Sequence, residues 1–255
     1  MTAPIIDTLL ARWRQGQRTI AFPKQAPLLP DRFRGLPLLD PTKCAAGCRA
    51  CAEVCPTSAV SAEGPLTIDL GRCLFCGDCV NACPGGAIVF SRDHRLAART
   101  RPDLIAGERG IVLAAALRAE TRRVFGRSLK LRQVSAGGCS ACEADTNVLT
   151  TVVFDLGRFG VDFVASPRHA DGLLVTGPVS RNMELALRKT YDAVPSPLLV
   201  IAVGACAISG GPYAGHEETL GGAAALVPVD LYVPGCPPHP LTILDGILRL
   251  LGRIA

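Results

Sequence analysis

Apolar positions recur at helical spacing at the start of the chain. Ile5, Ile6, Leu9, Leu10 and Trp13 form one stripe, which predicts an amphipathic helix over residues 4–15. Arg12 and Arg14 flank the stripe, and Arg18 lies nearly opposite it. Pro23, Pro27, Pro30 and Pro37 follow, and they predict an extended path because proline fixes φ and restricts the residue before it. Residues 39–91 contain eight of the twelve cysteines. Residues 92–127 are rich in arginine, and Ile111–Phe125 is predicted as a helix that Gly126 could end. From Ser128 the pattern becomes one of short apolar runs. Leu129–Val134, Val161–Ala165, Gly172–Val175 and Leu198–Val203 are predicted strands. Ser180–Ala193 is predicted helical, with Ser180 as N-cap and an end before Pro195. Pro240 sits where a helix can start, and Leu241, Leu244, Ile247, Leu248 and Leu251 form one face of a final helix. Strand alternating with helix predicts a mostly parallel, doubly wound α/β sheet.

The chain has 255 residues, room for one large domain or two small ones. Its 49% hydrophobic and 19% charged residues support a packed core and exclude global disorder. Aromatic residues make up only 5%, which argues against base stacking. No apolar run reaches the roughly 18 residues of a membrane span. No basic start, apolar stretch and small-residue cleavage site predicts secretion. A cytosolic chain is therefore expected, where disulfides are hard to keep. Twelve cysteines in such a chain point to metal. The net charge of +5 would suit nucleic acid. Three clusters at about −2 each would bring it to about −1, so no nucleic-acid partner is expected.

Residues 73–84 read Cys73-Leu-Phe-Cys76-Gly-Asp-Cys79-Val-Asn-Ala-Cys83-Pro84. This C-x2-C-x2-C-x3-C-P run is that of two-cluster bacterial ferredoxins, in which the fourth cysteine serves the other cluster. The pattern repeats: Cys48, Cys51, Cys55 and Pro56 each precede Cys76, Cys79, Cys83 and Pro84 by the same interval. Cys44 stands one residue further back from Cys73, so the first loop is C-x3-C-x2-C-x3-C-P. Zinc knuckles compete, since eight cysteines could fill two tetrahedral sites. The interlocked repeat with proline after each fourth cysteine favours cubanes. The ferredoxin pairing implies one [4Fe–4S] cluster on Cys44, Cys48, Cys51 and Cys83, and a second on Cys73, Cys76, Cys79 and Cys55.

Four cysteines remain. Cys139 and Cys142 follow Gly137-Gly138, Cys206 follows Gly204-Ala205, and Cys236 lies in Pro234-Gly235-Cys236-Pro237-Pro238. All three loops are expected at the carboxyl ends of parallel strands, where open α/β sheets build their sites. Glycines nearby let backbone N–H groups approach sulfur and tune a cluster. A third [4Fe–4S] cluster is expected there; buried free thiols and zinc are the competing readings.

The stretches Asp155-Leu-Gly-Arg158-Phe-Gly, Ala165-Ser-Pro-Arg168-His-Ala-Asp171, Val175-Thr-Gly-Pro-Val-Ser180 and Val229-Asp-Leu-Tyr-Val-Pro-Gly-Cys236-Pro-Pro resemble two related subunits. One is the small subunit of membrane-bound, energy-converting [NiFe] hydrogenases such as formate hydrogenlyase; the other is the terminal-cluster subunit of complex I. Residues 1–91, with Phe33-Arg34-Gly35 after the Pro-rich stretch, resemble the partner subunit with two ferredoxin-type clusters. The chain thus resembles a fusion of the two. The resemblance implies an arm at 1–38, a two-cluster α+β ferredoxin domain at 39–91, an Arg-rich linker with a helix at 92–127, and a flavodoxin-like α/β domain at 128–255. It implies three [4Fe–4S] clusters passing electrons to or from a catalytic [NiFe] large subunit, with no substrate-converting site on this chain. Membrane-arm subunits and a ferredoxin or formate dehydrogenase-like electron partner are implied, on the cytoplasmic face of the inner membrane. A complex I-like quinone reductase subunit and a freestanding carrier are the alternatives. Cys139-x2-Cys142 resembles hydrogenase small subunits, whereas complex I subunits have adjacent cysteines there. The family's glutamate three residues after the second cysteine is here Asp145. Arg158 and Arg168 match arginines near the terminal cluster of complex I relatives. His169 and His239 are expected to be ordinary surface or core histidines.

Overall fold

The computed structural model describes residues 4–254. The predicted N-terminal helix is present as α1, Pro4–Gln15, and none of its residues is buried. Its apolar stripe does not pack on the rest of the chain: Trp13 is 81% and Ile5 72% exposed. The arm beyond it turns back onto the protein. The Ile20 amide donates to the Val153 carbonyl at 3.0 Å, the Thr19 hydroxyl donates to the Val152 carbonyl at 2.8 Å, and Phe22 and Leu29 are buried.

The cysteine-rich segment is built twice over. Strand β1 (Pro37–Leu39), helix α2 (Ala50–Glu53), β2 (Val60–Ser61), β3 (Thr67–Asp69), α3 (Asp78–Asn81) and β4 (Ile88–Phe90) follow in order. Strands β1 and β4 pair antiparallel, Leu38 opposite Val89, and β2 pairs antiparallel with β3. Ile68, Leu70, Ile88 and Leu104 lie at 0% exposure beneath these strands. They supply an apolar floor under cysteine loops that have little regular structure.

The Arg-rich segment is shorter in helix than its pattern predicts. Of the helix predicted over Ile111–Phe125, only α4, Ala119–Phe125, forms. Residues before it run extended because they find backbone partners elsewhere. The Ala114 amide donates to the Ala97 carbonyl at 2.8 Å and the Leu117 amide to the Leu250 carbonyl at 2.9 Å. Such tertiary pairing overrides the weak helix preference of an Ala/Leu run. The segment also stitches the two halves together. Its strand β5 (Ile105–Ala106) joins β3, and Ala98 exchanges two backbone hydrogen bonds with Tyr232, at 3.0 and 2.9 Å.

The α/β part contains β6 (Leu129–Ser135), α5 (Ala141–Val148), β7 (Val161–Phe163), β8 (Gly172–Thr176), α6 (Arg181–Asp192), β9 (Leu199–Val203), α7 (Ala205–Ser209), β10 (Leu231–Val233) and α8 (Pro240–Leu250). The five strands are parallel, in the spatial order β10-β9-β8-β6-β7. Every residue of β8 and β9 is buried, as expected for strands covered on both faces. Ser180 holds the N-cap position of α6, but its hydroxyl makes no capping bond. Helix α8 differs from its predicted single face: all its residues are buried. The reason is that Phe22, Leu29, Ala97, Ala114 and Leu117, from the arm and the connecting segment, join its leucines in one core.

Gly246 marks that contact, since a Cβ there would stand 2.6 Å from the Ala97 Cβ. Gly246→Ala is expected to cost about 1–3 kcal/mol through overpacking, offset by about 1 kcal/mol of helix propensity. The midpoint of thermal unfolding should fall by a few degrees, and adding Ala97→Gly should restore it. An unchanged midpoint in the single variant would show that the helix slides to make room.

Candidate functional site

Each ferredoxin-like loop is held by short-range bonds. Asp40 accepts from the Thr42 amide at 3.1 Å and caps the turn that delivers Cys44. Asp69 accepts from the Gly71 amide at 2.9 Å ahead of Cys73 and binds both terminal nitrogens of Arg101, at 3.0 and 2.8 Å. Cys51 lies on α2 and Cys79 on α3; Cys55 and Cys83 follow these helices. Backbone amides point at sulfur. Ala59 donates to Cys55 Sγ and Ala87 to Cys83 Sγ, both at 3.2 Å, and these two bonds are equivalent in the sequence repeat. Phe75 donates to Cys73 Sγ at 3.3 Å. The longer first loop shows no matching bond to Cys44 among the described residues.

The thiols gather in sets. Burial pushes the Cys51 thiol up, and Cys83 and Cys44 add to it through charge repulsion. Burial pushes Cys73 up to about 12, with Cys79, Cys55 and Cys76 adding to it. Cys79 rises to about 11 by burial and then by Cys76, Cys55 and Cys51. Cys48 is half-buried in the first loop.

The third set stands at the carboxyl ends of β6, β9 and β10. Cys139 follows β6, Cys142 opens α5, Cys206 lies in the first turn of α7, and Cys236 follows β10. Burial raises the Cys142 thiol strongly, and Cys206, Glu143, Cys236 and Cys139 add to it. Cys206 is pushed up to about 11 by burial, then by Cys236 and Cys139. Glycine is required against these sulfurs: a Cβ on Gly204, at φ +92°, would stand 2.5 Å from Cys142 Sγ, and one on Gly211 3.0 Å from Cys206 Sγ. The Ser209 hydroxyl, on α7, donates to the Gly71 carbonyl at 2.8 Å, tying the Cys206 helix to the Cys73 loop. Cys236 is raised by burial and then by Cys139 and Cys76, and it lines one cavity with Leu74 and Phe75, so the third set borders the second.

Ligating sulfur is thiolate, not thiol. Sets of thiols that burial and mutual repulsion hold protonated are stable as thiolates only around a cation. The donor chemistry therefore fits an iron–sulfur core.

Glu143 is the residue that pattern reading missed. Its carboxylate accepts from the Ser135 hydroxyl at 2.6 Å and the Thr176 hydroxyl at 2.7 Å. Burial pushes it up, but these two bonds outweigh that and hold it below the usual carboxylate range. It places negative charge against the third thiol set. Its position directly after Cys142 was the available signal. Asp145, singled out instead, is raised by burial and lines a cavity of about 230 Å³ beside Phe75 and Cys236. Arg158 donates to the Phe22 carbonyl at 2.9 Å and covers the Phe159 ring, which makes it an anchor for the arm. Arg168 and His169 are exposed. His239 caps α8, accepting from the Leu241 amide at 3.1 Å, and packs edge-on against Phe33 and Phe154.

Two family descriptions match separate stretches of this chain. Residues 43–87 match the 4Fe-4S dicluster domain, and residues 139–250 match the NADH ubiquinone oxidoreductase 20 kDa subunit. A probable membrane-bound hydrogenase subunit, mbhJ, of Pyrococcus furiosus is 39% identical over 54% of this chain and 82% of its own length. The chain belongs to the 20 kDa subunit family. Formate hydrogenlyase subunit 7 of Escherichia coli is 40% identical over 55% of each chain. An NADH-quinone oxidoreductase subunit of Desulfovibrio desulfuricans is 44% identical over 44% of this chain and 61% of its own. This family member is an oxidoreductase electron-transfer subunit that carries the dicluster domain in the same polypeptide.

Replacing Glu143 tests its structural share. Glu143→Ala leaves the buried Thr176 hydroxyl without its carboxylate and is expected to cost about 1–3 kcal/mol; Glu143→Gln, which keeps an acceptor, should cost about 1 kcal/mol or less. Denaturation midpoints of the two variants should rank in that order.

Proposed function

We propose that the chain relays electrons through three [4Fe–4S] clusters to or from the catalytic [NiFe] large subunit of a membrane-bound hydrogenase complex. Cys44, Cys48, Cys51 and Cys83 would hold the outer cluster, Cys73, Cys76, Cys79 and Cys55 the middle one, and Cys139, Cys142, Cys206 and Cys236 the one facing the large subunit. Bound clusters supply one-electron oxidation and reduction. The protein's own share is to bury the thiols, aim amides at sulfur and hold the sets at fixed separation. The observation that carries the reading is the cavity that Leu74 and Phe75, from the loop between Cys73 and Cys76, share with Cys236, which gives the middle and third sets a common border. Exposure of Cys139 and Cys236 suits a docking face for the large subunit.

The strand order supports a flavodoxin-like wind for residues 128–255: taking β6 as first, the sheet runs 2-1-3-4-5. No helix among the described residues is long and apolar enough to cross a membrane. Attachment on the cytoplasmic face would use α1, whose exposed apolar stripe and Arg12, Arg14 and Arg18 suit anionic headgroups or membrane-arm subunits. A ferredoxin or formate dehydrogenase-like protein would exchange electrons at the outer cluster. A second reading, a subunit of a complex I-like quinone oxidoreductase, draws on the 44% identity to the Desulfovibrio desulfuricans NADH-quinone oxidoreductase chain. The Cys139-x2-Cys142 spacing favours the hydrogenase.

The complex purified without oxygen should contain about twelve irons on this chain. Cys206→Ala should leave about eight, with both ferredoxin-type signals visible and hydrogen turnover gone. Normal turnover in that variant would sink the relay, and quinone-dependent turnover in the wild type would select the second reading.

Deleting residues 1–18 should release the complex from membranes with its iron content intact. Membrane-bound yield equal to wild type would rule out the anchoring role of α1.

A further inference from the structure

Arg34 lies against the loop that carries Cys73, Cys76 and Cys79. Its Nη1 donates to the carbonyl of Phe75 at 3.2 Å, and Phe75 sits between the first two of those cysteines. Gly77, directly after Cys76, has φ +87°, and a Cβ there would stand 3.0 Å from Arg34 Nε and 3.2 Å from both Cζ and Nη2. Three nearly equal distances mean that the guanidinium plane covers the glycine. A Cβ at position 77 would press it back by a few tenths of an ångström.

The arm holds Arg34 from both sides. Phe33 packs edge-on against His239 of the α/β part, ring centroids 5.4 Å apart. The Gly35 amide donates to the Ser91 carbonyl at 2.8 Å, and a Cβ on Gly35 would collide with the Asp93 backbone. The charge balance singles out the same residue. Around the ferredoxin-like loops, Lys43 pairs with Asp40, Arg49 with Glu63, and Arg72 and Arg101 with Asp69. Among the described residues Arg34 makes no ion pair, and Asp31, the carboxylate nearest to it in sequence, pairs with Arg92 instead.

We infer that Arg34 is a tuning residue whose fixed positive charge raises the reduction potential of the cluster on Cys55, Cys73, Cys76 and Cys79. The inference rests on the reading that these cysteines hold a [4Fe–4S] cluster. Reduction adds one negative charge to a core that four thiolates already make anionic, and net charge is one determinant of cluster potential. A cation held against the loop therefore stabilises the reduced form more than the oxidised one. Arg34 is exposed, so solvent screens part of the effect and salt should weaken it. Arg34 also lines the cavity shared with Phe75 and Cys236, so the electron would be favoured on the cluster that borders the third set.

The test is a redox titration followed by electron paramagnetic resonance on the whole complex carrying wild-type chain, Arg34→Lys or Arg34→Gln. The signal of this cluster is assigned beforehand through Cys73→Ser. With Arg34→Gln, the reduced-to-oxidised ratio at the wild-type midpoint should fall about threefold to tenfold, a lowering of about 28–59 mV at 59 mV per decade. Iron content and the other two midpoints should hold. Arg34→Lys, which keeps the charge and loses the fork, should recover most of the shift. A wild-type midpoint in Arg34→Gln overturns the inference, as does an equal shift in Arg34→Lys, which would assign the effect to the Phe75 bond. Should Arg34→Gln lose iron, Arg34→Lys is titrated at low and high salt, and a midpoint that does not fall with salt overturns it. A wild-type complex without this signal would instead remove the three-cluster reading.

Discussion

Sulfur atoms that repel one another are gathered around a buried member of each set, Cys51, Cys73 with Cys79, and Cys206, and the rest of the structure is arranged around that constraint. Thiolates collected in a half-buried place cost free energy unless a cation sits among them. The neighbourhood is prepared for such a core. Amides of Ala59, Phe75 and Ala87 aim at sulfur, and Gly204 and Gly211 leave the space that side chains would fill. Apolar floors such as Ile68, Ile88, Val203 and Val233, at 0% exposure, keep the loops from collapsing in other ways.

The two halves meet through bonds that belong to neither alone. Ala98 pairs with Tyr232, and Ser209 reaches Gly71. Asp69 serves twice, capping the Cys73 loop and clamping Arg101 of the connecting segment. The geometry of the middle thiol set is therefore coupled to the seam between the halves.

Much of this was legible in the sequence, because spacing constraints on metal-binding loops are severe and short-range. The repeat predicted by the cysteine intervals reappears in space as α2 and α3 and as the paired amide–sulfur bonds to Cys55 and Cys83. Strands β6 to β9 and α6 fall within a residue or two of their apolar runs, because burial leaves little freedom, whereas the three-residue β10 was not among the predicted strands. What could not be read was tertiary. Residues 111–118 look helical alone, yet Ala97 and Leu250 offer them backbone partners. Helix α8 shows one apolar face in its heptads but is covered all round by segments distant in sequence. Glu143 is marked in the sequence only by its place after Cys142, and its role arises when β6 and β8 bring Ser135 and Thr176 to it.

The covalent join between the halves has a consequence of its own. When two electron-carrying units are separate chains, their contact must be large enough to survive dilution. Joined in one polypeptide, each meets the other at an effective concentration near the millimolar range, so bonds such as those of Ala98 with Tyr232 and Ser209 with Gly71 do not have to supply the whole affinity between them. Copy numbers are equal by construction, and an outer unit cannot dock without its inner one. Selection on that border is thereby freed from holding the partners together and can act on how readily charge crosses it.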